Sequence, residues 1–79
     1  MDKMDMLTID DIRAGLQVIG NPRSYKSIET GAREKGLYVS ERRKRFIRTS
    51  RLPELIRYLG VFTTAEDLTM VCRDIHQEN

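Results

Sequence analysis

The chain has 79 residues, of which 39% are hydrophobic and 33% charged, so it can form one small domain with a modest core and is not expected to be disordered. Its single cysteine, Cys72, excludes an internal disulfide, and the lack of an apolar run of roughly 18 residues excludes a membrane span or a signal peptide. We therefore expect a cytoplasmic protein.

Positive charge is concentrated in the middle of the chain. Residues 23–51 contain ten Lys/Arg and three Glu, a net charge of +7, whereas residues 1–22 carry −2 and residues 52–79 carry −3. The ten cations are Arg23, Lys26, Arg33, Lys35, Arg42, Arg43, Lys44, Arg45, Arg48 and Arg51. A block of this density attracts polyanions through counterion release, and nucleic acid is the commonest such partner.

Catalytic and metal-binding patterns are weak in this sequence. Cys72 and His76 are four positions apart, but two ligands make an incomplete zinc site. There is no glycine-rich phosphate loop, no nucleophile elbow and no carboxylate pair with catalytic spacing. We expect neither an enzyme nor a cofactor.

The first predicted element is a helix over residues 9–19. Met1, Met4 and Met6 lie in an N-terminal end that we expect to be frayed. Apolar residues then recur at helical spacing: Ile9, Ile12, Leu16 and Ile19. Thr8 and Asp11 have the spacing of a capping box, Leu7 can pack against Ile12, and Gly20 ends the helix.

A second helix is predicted from a Ser24 cap to about Lys35, with Gly36 after it. Its apolar side is short and contains Tyr25, Ile28 and Ala32. Its other side presents a ridge that we name the α2 ridge: Arg23, Lys26, Thr30 and Arg33. This ridge suits a DNA groove, although a solvated helix face would have the same pattern.

Residues 37–49 favour a β-hairpin because β-branched and aromatic residues flank a charged turn at residues 40–44. No glycine or asparagine marks that turn, so a tight two-residue loop is disfavoured. A helix over residues 41–48 behind a Ser40 cap is the competing interpretation.

Two further helices are predicted. Ser50 caps the first, Pro53 lies in its first turn, and Gly60 ends it; its inward residues are Leu52, Leu55, Ile56 and Leu59. The second begins with a Thr63 and Glu66 capping pattern and extends for about twelve residues. Its apolar stripe is Leu68, Val71, Cys72 and Ile75. We expect Tyr25, Phe46 and Tyr58 to be core residues.

The order of these elements predicts a mostly α fold with a small β-hairpin: a winged helix-turn-helix of about four helices plus a wing. Residues 7–59 would form the winged-helix DNA-binding domain. Residues 63–77 would form an amphipathic helix packed on the same domain or at an interface. In such a fold one helix enters the major groove while cations on the hairpin reach flanking phosphates or the minor groove.

Residues 7–59 resemble the small excisionase (recombination directionality) proteins of phages and integrative elements, which share a winged fold with MerR-like regulators. The resemblance lies in Leu7-Thr8, in Pro22-Arg23-Ser24, and in an Arg-rich hairpin followed by a helix at residues 51–59. The second helix lacks the family's frequent tryptophan, the hairpin lacks a glycine tip, and the tail is acidic.

The resemblance implies which residues would contact double-stranded DNA. The residues expected to face the major groove are Arg23, Lys26, Ser27, Thr30 and Arg33, and those of the wing are Arg42, Arg43, Lys44 and Arg45. We add Arg48, the last cation of the hairpin, to the candidate DNA-binding residues. The predicted function is sequence-specific DNA binding in excision or transcription regulation, with a recombinase as a further partner or self-association through the last helix.

Three other functions fit the same composition. A small protein-interaction module, such as an inhibitor of a host protein, could use the basic face. An RNA-binding protein would need exposed aromatic residues for base stacking. A structural component of a ribonucleoprotein or virion could neutralise packaged nucleic acid.

Overall fold

The computed structural model describes residues 6–78, which form a mostly helical domain with a small antiparallel sheet. The elements are β1 (Met6–Leu7), α1 (Ile9–Ile19), α2 (Tyr25–Glu34), β2 (Tyr38–Glu41), β3 (Lys44–Arg48), a 3-10 turn (Thr49–Arg51), α3 (Leu52–Leu59) and α4 (Ala65–Glu78). The hairpin predicted for residues 37–49 is confirmed, and the competing helix is wrong. The strand order is β1-β3-β2.

Helix α1 begins and ends where the sequence predicts. The Thr8 hydroxyl accepts a hydrogen bond from the Asp11 N–H at 3.1 Å, and the Asp11 carboxylate accepts one from the Thr8 N–H at 2.9 Å. At the other end Gly20 has a φ of 95°, a left-handed conformation that glycine adopts without steric cost. The capping box and the glycine therefore fix both ends of α1.

Strand β1 is an element that the sequence did not reveal. Met6 pairs with Arg48 and Leu7 with Ile47, so β3 lies between β1 and β2. The expectation of a frayed end is wrong for Met6, while Met1 and Met4 lie outside the described residues. Two residues are too few for a period-two pattern to be visible in the sequence.

The starts of the last two helices differ from prediction. Ser50 does not cap α3, because it lies inside the 3-10 turn, where the Leu52 N–H is already bonded to the Thr49 carbonyl. Helix α4 is capped one residue later than predicted, by the Thr64 hydroxyl, which accepts from the Asp67 N–H at 3.0 Å. Thr63–Glu66 and Thr64–Asp67 have the same spacing, so the sequence alone did not distinguish them.

One hydrophobic core joins the four helices to β1 and β3. It contains Leu7, Ile9, Ile12, Leu16, Ile28, Ala32, Leu37, Ile47, Leu52, Leu55, Val61, Leu68 and Cys72. Leu68 and Cys72 come from α4, so the apolar stripe of that helix packs inward against α1. The Cys72 thiol lies 3.4 Å from the Asp11 carbonyl, and burial raises its pKa to about 11.

The α1–α4 contact is close at Gly15. A Cβ at this position would lie 2.8 Å from Cys72 Sγ and 2.9 Å from Leu68 Cδ1. We predict that Gly15→Ala lowers the free energy of unfolding by up to about 2 kcal/mol, because an overpacking cost of about 1–3 kcal/mol is only partly offset by a helix-propensity gain of about 1 kcal/mol. Urea denaturation measures the change. The exposed control Gln17→Ala should stay within about 0.5 kcal/mol of the native protein.

Candidate nucleic-acid interface

The α2 ridge points away from the core. Ile28, Gly31 and Ala32 are buried, so the side of α2 opposite to them carries Lys26, Thr30 and Arg33. Lys26 and Arg33 are exposed, whereas Thr30 is partly buried. The structure therefore brings these three predicted residues together on one surface.

Two arginines near α2 already have partners within the chain. Arg23 is partly buried, and its guanidinium donates a hydrogen bond to the Pro22 carbonyl at 2.8 Å. Arg33 forms an ion pair with Glu29 at 3.5 Å. The Glu29 carboxylate, one turn away, thus partly offsets the positive charge of Arg33.

Ser27 lies on a different side of α2 from the ridge. With Ser24, Lys26, Thr30 and Tyr58 it lines an open depression of about 330 Å³. The Ser24 hydroxyl caps the helix by accepting from the Ser27 N–H, and it donates to the Ser27 hydroxyl at 2.9 Å. Ser27 therefore contributes to the N-terminal cap of α2.

Tyr58 of α3 borders the same depression and was not predicted as a site residue. A Cβ on Gly31 would lie 2.6 Å from its Cδ1, so only glycine allows the ring to approach α2 so closely. A hydrogen bond from the Tyr58 hydroxyl to the Glu34 carboxylate raises the pKa of this tyrosine. Tyr58 thus fixes α3 against the flank of the α2 ridge.

Strand pairing divides the hairpin residues between two faces of the sheet. Because side chains alternate along a strand, directly paired residues share a face. The inner face, which includes the core residues Leu7 and Ile47, also carries Tyr38, Ser40 and Arg45. The outer face carries Met6, Val39, Glu41, Lys44, Phe46 and Arg48.

Arg45 is the strand cation on the inner face. Its guanidinium carbon lies 5.3 Å from the centroid of the Tyr38 ring, a cation–π contact that contributes about 0.5–1 kcal/mol at an exposed site. Partial burial raises the pKa of Tyr38, and the negative charge of Glu29 acts in the same direction. The positive charges of Arg45 and Arg33 act on the same hydroxyl in the opposite direction. Tyr38 is therefore a residue of the hairpin on which charges of both β3 and α2 act.

Lys44 and Arg48 lie on the opposite side of the sheet from Arg45. With Arg42 and Glu41 they surround the outer-face residues Met6, Val39 and Phe46 in an open depression of about 480 Å³. The sequence predicted the wing cations as one group, but the structure separates them into two groups because successive residues of β3 point in opposite directions.

The hairpin tip is a two-residue turn formed by Arg42 and Arg43, with φ values of 51° and 68°. Two positive φ angles define the turn class that matches the twist of a hairpin and that normally contains asparagine and glycine. The expectation that a tight loop is disfavoured here is therefore wrong. A left-handed conformation costs about 1–2 kcal/mol for a residue with a Cβ, and the paired strands hold the turn in spite of this cost.

Two tyrosines expected in the core are exposed. Tyr25 is 44% exposed and Tyr58 is 40% exposed, while Phe46 is half-buried on the outer face. Tyr25 begins α2, where the core is already filled by Ile28 of the following turn. Phe62, in the loop between α3 and α4, is 91% exposed.

The remaining chemistry in the described part of the chain is limited. Arg51, the last cation of the basic segment, forms an ion pair with Glu54. The described residues contain no group of three or more His, Cys, Asp or Glu side chains placed to hold a metal ion. The side chain of His76 lies outside those whose surroundings are described.

Within residues 6–78 no helix is both long and apolar enough to cross a membrane.

Comparisons with known proteins give no match to a protein-family model, to a curated protein or to a solved structure.

The strain at the hairpin tip can be tested separately from its charge. We predict that Arg42→Asn with Arg43→Gly raises the free energy of unfolding by about 1–2 kcal/mol, because both new residues tolerate positive φ. The matched variant Arg42→Ala with Arg43→Ala removes the same two charges, but alanine lacks the tolerance of asparagine and glycine for positive φ, so it should give no such gain. Equal stabilisation of both variants in urea denaturation would show that charge repulsion, and not backbone conformation, is the cause.

Proposed function

We propose that this protein binds double-stranded DNA, with α2 in the major groove and the hairpin beside the adjacent backbone. The contact surface, which we name the duplex face, consists of Lys26, Thr30, Arg33, Arg45 and the tip residue Arg43. The observation that carries the proposal is that Arg45 contacts the Tyr38 ring while the charge of Arg33, on the α2 ridge, acts on the hydroxyl of the same tyrosine. Cations from two separate elements thereby flank one surface.

The residues of the duplex face have different proposed roles. Lys26, Arg43 and Arg45 neutralise phosphates and supply affinity that does not depend on sequence. Arg33 and Thr30 lie on the side of α2 opposite to its buried residues, where side chains can reach base edges. Arginine reads guanine through two hydrogen bonds, so Arg33 is the main proposed sequence reader.

The biological setting that we propose follows the resemblance to winged excisionase proteins. A helix pair followed by a two-stranded wing and a further helix is the order that the resemblance implies for residues 7–59. A small DNA-binding protein of this kind would act in excision, with an integrase or recombinase as partner, or in transcription regulation.

A second candidate function is RNA binding, which one observation favours. Tyr25, Tyr58 and Phe62 are all exposed, and unpaired bases stack on exposed aromatic rings. The two functions differ in their preferred ligand. A duplex binder should prefer double-stranded DNA to single-stranded RNA of the same length, and Phe62→Ala should leave its affinity unchanged.

The duplex face is tested by two variants that remove equal charge from different surfaces. Lys26→Ala with Arg45→Ala removes two phosphate contacts of the duplex face. We predict weaker binding to random-sequence duplex DNA and a log–log salt slope that becomes less negative by about 2, starting from about −3 for the three phosphate contacts. Fluorescence anisotropy over a range of salt concentrations measures both quantities.

The matched control is Lys44→Ala with Arg48→Ala on the outer face of the sheet. This control lowers the net charge by the same amount as the first variant, so it weakens the long-range attraction to DNA equally. Because Lys44 and Arg48 lie outside the duplex face, we expect the salt slope to stay near its native value. If the two variants reduced the slope by the same amount, the DNA would contact both faces and the duplex face would be wrongly assigned. A native slope near zero would contradict DNA binding by phosphate neutralisation altogether.

Glu29 is predicted to restrain Arg33. We expect Glu29→Gln to raise the affinity for duplex DNA by about two- to fivefold, because it releases Arg33 from an exposed ion pair of about 0.2–1 kcal/mol and removes a carboxylate near the phosphates. Glu34→Gln changes the net charge equally but lies beside Tyr58, so a smaller increase is expected. Equal increases for the two variants would indicate a general charge effect.

A further inference from the structure

The outer face of the sheet is a second charged surface that the proposed DNA contact does not use. Met6, Val39 and Phe46 are half-buried at its centre. Three cations, Arg42, Lys44 and Arg48, and one carboxylate, Glu41, surround them. The surface thus combines an apolar centre with an excess of positive charge.

A duplex is poorly suited to this surface. The outer face points away from Arg45, so DNA lying along α2 and Arg45 would not reach it. A second duplex could bind the cations, but its phosphate backbone would leave the apolar centre in contact with water. A partner with both carboxylates and an apolar side chain fits better.

The outward side of α4 has this chemistry. Leu68 and Cys72 face the core, so the opposite side of the helix carries Glu66, Asp67, Met70 and Asp74. Met70 is 61% exposed between these three carboxylates. Arg73 is the only cation in the described part of α4, so this side has an excess of negative charge. We name it the acidic α4 face.

We propose that the outer face of the sheet binds the acidic α4 face of a second copy of this chain. The three cations and Glu41 of the outer face would meet the three carboxylates of the acidic α4 face, and Met70 would cover the apolar centre. The apolar stripe of α4 is buried in its own core and takes no part in the contact. The proposal does not depend on DNA binding.

A charge-swap experiment without nucleic acid tests this pairing. The sheet variant carries Lys44→Glu and Arg48→Glu, and the helix variant carries Glu66→Lys and Asp74→Lys. Each variant alone would place like charges in contact. In an equimolar mixture each acidic surface would meet a basic one, so both contacts are restored. Analytical ultracentrifugation measures association, and thermal melts establish that each variant is folded.

The native chain should associate as its concentration rises, and added salt should weaken the association. Each variant alone should self-associate at least about tenfold more weakly than the native chain, and the mixture should recover association. The control Arg13→Glu with Arg57→Glu changes the charge as the sheet variant does, but on exposed residues outside both surfaces, and should still associate. A native chain that stays monomeric at all concentrations, or a mixture of folded variants that fails to associate, would overturn the proposal.

Discussion

The position of β3 between two partner strands determines where the charges of this molecule lie. Pairing with β1 and β2 places Ile47 in the core, and the alternation of side chains then places every other residue of the hairpin. Arg45 must share the side of Ile47, while Lys44 and Arg48 must lie on the other side. A shift of one residue in this register would exchange the two groups and expose Ile47 to solvent. The cost of exposing that side chain therefore maintains the separation of the charges.

Helix α2 is oriented by an equally simple constraint. Ile28 and Ala32 fill the core, and Gly31 allows Tyr58 to approach, so the opposite side of the helix must face solvent. With these orientations Arg45 contacts Tyr38, and the charge of Arg33 on the ridge acts on the same tyrosine. The same orientations leave Lys44 and Arg48 on a surface that is separate from the duplex face. A basic segment that is continuous in sequence is thereby divided into two surfaces, for which we propose different partners.

The sequence predicts the helices of this fold well because their signals are local. Thr8, Asp11 and Gly20 define α1 through contacts within a few residues. Strand β1 and the hairpin turn were missed because both depend on strand pairing, whereas the cap of α4 was missed because two local patterns have the same spacing. Met6 forms a strand only because β3 offers an open edge, and Arg42 and Arg43 adopt positive φ only because the flanking strands are already paired. The sequence supplied the cations of the candidate site but not their arrangement, since the direction of each hairpin cation depends on a register that periodicity alone did not fix.

The central claim is that DNA contacts only one of the two basic surfaces. An isotope-labelled sample can be titrated with duplex DNA, and the NMR chemical-shift changes then show residue by residue which surface the DNA contacts. The account predicts the largest changes at Lys26, Thr30, Arg33, Tyr38 and Arg45, with small changes at Lys44, Phe46 and Arg48. Changes that are largest on the outer face of the sheet, or equal on both surfaces, would contradict it.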